Sequence, residues 1–244
     1  MIKVLAGILG QLMRWIYDSL QANFTEPTNI SFYAIAIIIM TLLVSLLIIP
    51  MTVSQQKQAE RTKIFKPKME EIQKKYSYDQ QIMQKKMQQL YKEEGVTPGI
   101  SGCLVMIIQI MILFGLFRMM GDTTKYVFPE GLDNVRTNFY WISNLLDKDP
   151  YWFALPLLTS LSQVAVQLFS MKTNPQMQQG GAMGNMNNMF LIMPLMYFFI
   201  FRGLPAGLPL YYTLSSVFRL VIMVIMHFYM KANKTELEDE KVNN

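Results

Sequence analysis

The apolar residues of this chain fall in long unbroken blocks, at about 31–53, 100–120, 151–171, 189–205 and 207–230. Each approaches the roughly 20 residues that a helix needs to cross a hydrocarbon layer about 30 Å thick. Continuous runs predict helices, where period-two alternation would predict barrel strands, and a helix satisfies its own backbone in lipid. The pattern predicts an all-α membrane protein with five transmembrane helices over those ranges.

Between the first two blocks, 54–99 alternates differently. "SQQKQAERTKIFKPKMEEIQKKY" keeps Ile64, Phe65, Met69, Ile72 and Tyr76 at helical spacing, with Pro67 set to kink it or mark a restart. "SYDQ" (Ser77 to Gln80) reads as a break with capping residues. Ile82, Met83, Met87, Leu90 and Tyr91 then form a second stripe, closed by Gly95 and Pro98. Two amphipathic helices with a tight break predict an antiparallel helical hairpin, against the blander reading of a charged linker.

The remaining segments are connections and ends. Residues 1–30 keep Leu12, Trp15 and Ile16 as apolar anchors, with Gln11, Arg14 and Asp18 between them. An amphipathic helix lying in the outer interface fits them better than a cleaved signal, because polar residues interrupt the apolar stretch and no small-residue cleavage site follows. The loop 121–150 and the chain just after it carry Tyr140, Trp141, Tyr151 and Trp152 as interface anchors. The loop 172–188 is polar and methionine-rich and is expected to be flexible, and the tail 231–244 is expected to be disordered.

Charge orients these elements. The net charge is +5, which alone would suit nucleic acid, but its distribution points to a membrane. Ten Lys/Arg lie between Ser54 and Gly99, whereas Gly121 to Pro150 has three against five acidic residues. The positive-inside rule puts the hairpin in the cytoplasm, 121–150 outside, the N-terminus outside and the C-terminus inside. One cysteine, Cys103, leaves no internal disulfide framework and no cysteine-based metal cluster.

Polar residues inside the blocks share faces. Tyr212, Ser215, Ser216, Arg219 and His227 follow one helix face, as do Ser160, Gln163, Gln167 and Ser170; Thr41, Ser45 and Thr52 form a third stripe, and Gln109 adds one more amide. Such groups often only join neighbouring helices. Arg219 is harder to dismiss. It is the twelfth of the 23 residues from Leu208 to Met230, about 16 Å from either end, and burying its charge in lipid costs at least ~2.5–3.5 kcal/mol. No Asp or Glu lies in any of the five blocks. A shared hydrophilic groove is the expectation, formed by Thr41, Ser45, Gln109, Ser160, Gln163, Gln167, Tyr212, Ser215, Ser216 and Arg219. Snorkelling or a backbone partner for Arg219 is the competing account.

Nothing in the chain points to catalysis. The single histidine, His227, sits near the inner end of a span, and there is no phosphate loop, metal-ligand cluster, nucleophile elbow or embedded acid pair. The protein is read as no enzyme, with no metal and no cofactor. A small polar-groove transporter or channel remains the alternative, although internal repeats are lacking.

Several segments together resemble the YidC-type membrane protein insertases, in the short five-span form typical of Gram-positive bacteria. They are "KMEEIQKKYSYDQQIMQKKMQQLYKEEGVTPGISGCL" leading into "IIQI", "MPLMYFFIFRGLPAGLPLYYTLSS", and "IIPM" closing the first span; the likeness covers about 31–230. The resemblance implies a five-helix core with a groove open to cytoplasm and lipid but closed outside, in a bacterial plasma membrane. It also implies insertion and folding of small or nascent membrane proteins received from ribosomes, alone or beside the Sec translocon. The family's groove arginine lies five residues before the proline ending the first span, and that position is Ser45 here. The aromatic that follows "LY" in the last span, often tryptophan in the family, is Tyr212, and the glutamine late in the third span matches Gln167. Arg219 is then either a substitute cation from another helix or a bystander in a neutral groove.

Overall fold

The computed structural model describes residues 2–95, 100–151, 153–173 and 196–242, and among them the chain is helical with no strand beyond isolated bridges. The helices in order are α1 (Ile2–Asn23), α2 (Phe32–Ile64), α3 (Lys66–Lys75), α4 (Gln80–Glu93), α5 (Ile100–Gly121), α6 (Thr123–Tyr126) and α7 (Ala154–Thr173), then α8 (196–201) and α9 (Gly207–Val242). The molecule is an all-α membrane protein. Among the described residues α2, α7 and the 207–230 part of α9 are long and apolar enough to cross a bilayer, and α5 adds an apolar stretch from Ile107 to Gly121. Of the fourth expected span, 189–205, the part before Met196 lies outside the described residues, as does nearly all of the 172–188 loop.

Local chemistry sets the helix boundaries. Ser31 caps α2: its hydroxyl accepts from the Ala34 N–H at 3.2 Å and donates to the Asn138 carbonyl at 2.8 Å. Pro50 sits inside α2 without ending it. The helix runs on for 33 residues, about 50 Å, which exceeds a bilayer core and carries the chain into the aqueous phase. Residues 54–64 therefore continue the first span instead of forming an arm of the hairpin. The hairpin proper begins at the break on Phe65, where Pro67 falls in the first turn of α3 and its missing N–H costs nothing. Asp79 starts α4, accepting from Gln81 N at 2.9 Å and Ile82 N at 3.0 Å. Phe65, Met69 and Leu90 are buried between α3 and α4, with Tyr91 edge-on to Phe65 at 6.1 Å. Ile64 and Ile82, expected in these stripes, are exposed instead: Ile64 ends α2 at the break, and beside Ile82 it is Met83 that is buried.

Three further expectations change. Ile16 is not a lipid anchor: it is buried on the face of α1 that carries Leu9, Met13 and Tyr17, and Leu12 packs partly against the same core, leaving Trp15 exposed. α1 lies along α5, where Gly115 leaves room for Leu5 and Leu9, and Gly10 lets the helix touch the Tyr126 carbonyl. Arg14 and Asp18 bond each other at 2.7 Å, and Arg14 also pairs with Glu130 and sits 5.3 Å over the Phe128 ring. The tail is helical as far as Val242, since "KANKTELEDEKV" holds good helix formers and no glycine or proline.

The outer loop is a folded cover. Phe128, Ile142 and Leu145 are buried in the main core beside Tyr33, Ile37, Leu116 and Met119. Backbone bonds tie it to the start of α9 (Gly207 N to Leu145 O, 2.9 Å) and to the entry of α2 (Ser31 N to Asn138 O, 3.0 Å). Arg136 donates to Pro27 O and Thr28 O and pairs with Glu26. Tyr140, Trp141 and Tyr151, expected as interface anchors, are exposed, and Trp152 lies outside the described residues.

Candidate functional site: a polar recess between α2, α5 and α9

Helix register fixes what meets inside the bundle. At Gly207 a methyl would lie 2.7 Å from Met120 Cε and 3.2 Å from Ile37 Cδ1, so α2, α5 and α9 converge there. Eight residues further along both α2 and α9 stand Ser45 and Ser215, and eleven back along α5 stands Gln109. These three line one recess with Ile48, Met51, Thr52, Ile108, Arg219 and Ile222. Ser45 and Arg219 therefore line the same recess, although they are 174 positions apart in sequence.

The recess holds unmet polar capacity. The Arg219 Nε and the Ser45 Oγ are both buried without a hydrogen bond. Arg219 has no ion pair among the described residues, and Tyr197 is the group close enough to interact with its charge. An unpaired guanidinium at low dielectric is costly, so the position is stable only if water or an anion reaches it.

Above the recess, on the outer-loop side, aromatic rings close the bundle. Tyr212 donates its hydroxyl to the Gln109 carbonyl at 3.2 Å and packs 5.1 Å from Phe201, which stacks on Tyr197 at 5.7 Å. Tyr211, Tyr212 and Phe201 are fully buried. A second hollow of about 240 Å³ lies farther out, between α1 and the outer loop. Its chief charged groups, Arg14 and Glu130, already neutralise each other.

The comparisons with known proteins decide the family. Residues 24–234 match the family described as 60Kd inner membrane protein. A Fusobacterium nucleatum protein named Membrane protein insertase YidC is 31% identical over 225 residues, covering 90% of this chain and 98% of the relative. The chain belongs to the YidC family. Relatives of the same name in Wolinella succinogenes and Aquifex aeolicus are 32% and 28% identical over 82% and 90% of this chain. It spans only 34% and 38% of those two YidC proteins, which are much longer.

Against this YidC background the ten predicted groove residues divide into three sets. Ser45, Gln109, Ser215 and Arg219 line the recess, and Tyr212 caps it. Thr41 and Ser216 are buried and donate to their own helices, to Ile37 O at 2.6 Å and Tyr212 O at 2.7 Å, which fits helix packing and not solvation of a client. Ser160, Gln163 and Gln167 stand on α7, outside the recess lining; the Ser160 Oγ and the Gln167 Nε2 are buried and unbonded. α7 runs parallel to α9, with Thr159 bonded to Thr213 at 2.8 Å near one end and Phe169 edge-on to His227 at 5.9 Å near the other. Gln163 and Gln167 fall between these contacts, so they span the depth of Arg219. His227 packs on aromatic rings.

Sequence reasoning missed three things here. Thr159 bonds Leu155 O of its own helix and joins α7 to α9 through Pro209 O and Thr213 Oγ1, yet it sits one residue off the predicted α7 stripe. Tyr197 and Phe201 close the recess, but an aromatic in an apolar span gives no polar signal. Thr52, on the predicted α2 stripe, was the one available pointer to the inner end of the recess.

Proposed function

We propose that this bacterial membrane protein is an insertase and membrane chaperone. It takes small or nascent membrane proteins through the polar recess and releases their apolar segments sideways into lipid. The observation that carries this reading is that Ser45 and Arg219 line one recess, with the buried Arg219 Nε unbonded among the described residues. Arg219 supplies, from α9, the cation that the family carries at the position of Ser45. A client's polar segment must otherwise cross about 30 Å of hydrocarbon, and a wet recess reaching partway shortens that path. The guanidinium holds client carboxylates by charge-assisted hydrogen bonds. Partition of the apolar segment into lipid drives the step, so no nucleotide and no bond change is needed.

The orientation follows the charge asymmetry: hairpin and C-terminus in the cytoplasm, outer loop on the far side. Five spans complete the bundle. Ribosomes deliver nascent chains to the basic cytoplasmic side, and the Sec translocon is a working partner for larger clients. The buried aromatic closure of Tyr211, Tyr212 and Phe201 speaks against a transporter, which needs a path to the outer side.

The test is a two-sided accessibility scan. Single cysteines replace Ser160, Gln167 or Arg219 in a Cys103→Ser background, and a membrane-impermeant thiol reagent is applied to each face of sealed vesicles. Labelling from the cytoplasmic face alone is the expected result. Labelling from both faces would establish a transmembrane path and remove the insertase reading.

A further inference from the structure

The hairpin has two chemically different ends. At its base, positive charge is compensated: Lys68 bonds Glu94 at 2.7 Å, Lys66 lies 3.9 Å from Glu70, and Glu71 and Glu93 stand in the same half. At its tip no glutamate is present. Lys74, Lys75, Lys85 and Lys86 make no ion pair among the described residues, and the one acid, Asp79, is engaged in capping α4. The same tip exposes apolar surface: Tyr78 is 79% and Ile82 39% exposed, while Tyr76 lies 6.5 Å from the Tyr78 ring and under the Lys75 ammonium.

Lysines without counter-charges, grouped around exposed tyrosines and an isoleucine, form an interfacial pattern. The ammonium groups suit a layer of phosphates, the tyrosines suit the headgroup region, and an aliphatic side chain gains by entering the acyl boundary. Nucleic acid would use the lysines and could stack on the tyrosines, but it offers nothing to Ile82. Reach also permits a membrane contact. α2 overhangs a 30 Å core by about 20 Å, and α4, with 14 residues, is about 21 Å long, so an inclined hairpin returns its tip to the surface.

We propose that the tip formed by Tyr76, Tyr78 and Ile82, with Lys74, Lys75, Lys85 and Lys86, docks on the anionic surface of the bilayer in which the protein sits. This contact fixes the tilt of the hairpin and is independent of the groove.

The test uses the full chain in lipid nanodiscs. A polarity-sensitive dye is attached at Tyr78→Cys in the Cys103→Ser background, with a second preparation labelled at Gln89→Cys near the base. Discs contain phosphatidylcholine alone or with about 30% phosphatidylglycerol, a composition rich in negative charge. The expected result is a blue shift at position 78, and not at 89, in the anionic discs. High salt reverses it, and each Lys→Gln change at 74, 75, 85 or 86 lowers tip occupancy about fivefold. Equal emission in both discs overturns the proposal. A shift at 78 that appears only when purified ribosomes are added to neutral discs also overturns it, and assigns the tip to nucleic acid.

Discussion

The outer and inner halves of this bundle treat polar groups in opposite ways. Towards the outer loop several are paired: Arg14 with Asp18 and Glu130, Arg136 with Glu26, Asp149 with the Tyr151 and Leu155 N–H groups, and Thr159 with α9. Among the described buried side-chain atoms on this side, the Tyr33 and Ser160 hydroxyls are the exceptions. Towards the inner side Ser45, Gln167 and Arg219 keep buried atoms without partners. Pairing in the first half serves stability, because an unmet buried group costs about 1–3 kcal/mol. On the proposed reading, unmet capacity in the second half is retained for a client or water to meet. The same reading makes the outer half a closure and the inner half a site.

Changes to the two halves should therefore separate stability from activity. Phe128→Ala removes a ring that Tyr17 meets edge-on at 4.9 Å and that Arg14 covers, so it should cost about 3–5 kcal/mol, read as a large fall in Tm in detergent. Gly10→Ala sets a methyl against the Tyr126 carbonyl and should cost about 1–3 kcal/mol by the same measurement, through α1 lifting from α6. The exposed outer ion pair matters least to the closure: Glu130→Gln should lower Tm by about a degree or two. The Glu130 carboxyl is held below its ordinary value of 4.5 first by its own backbone N–H and then by Arg14. A lowered carboxyl contributes above that ordinary value and loses its contribution as pH falls through the folded one. Protection of the α1 amides, corrected for the intrinsic exchange rate, should thus be flat from neutrality down to about pH 5 and fall only below 4.5. In the inner half, Arg219→Met should leave Tm unchanged or slightly raised, because it removes an uncompensated buried charge.

Much of this division was legible in the sequence. Apolar blocks located α2, α5, α7 and α9, since length and hydropathy are local properties. Asp79 and Pro67 marked the hairpin break and the start of α3, since caps and prolines act within one turn. Shared faces brought Ser45, Gln109, Ser215 and Arg219 to one recess. The remainder was tertiary. A buried hydroxyl can bond its own helix or wait for another partner, and spacing alone cannot tell Thr41 and Ser216, which do the first, from Ser45, which does neither. Ile16 shares its apolar character with Trp15, and only the position of α5 and α2 decides which of them is buried. The run of α2 to Ile64 was hidden because its charged last turns resemble a hairpin arm.

The central claim is that Arg219 acts as the groove cation in place of Ser45, and relocation of the charge tests it most directly. The full chain is reconstituted in vesicles, and insertion of a small client with an acidic tail is followed beside that of the same client with a neutral tail. Arg219→Ala should lower insertion of the acidic client by at least about tenfold, spare the neutral one, and be rescued when Ser45→Arg is added. Unchanged insertion of the acidic client by Arg219→Ala, while Gln109→Ala or Ser215→Ala impairs it, would contradict the account.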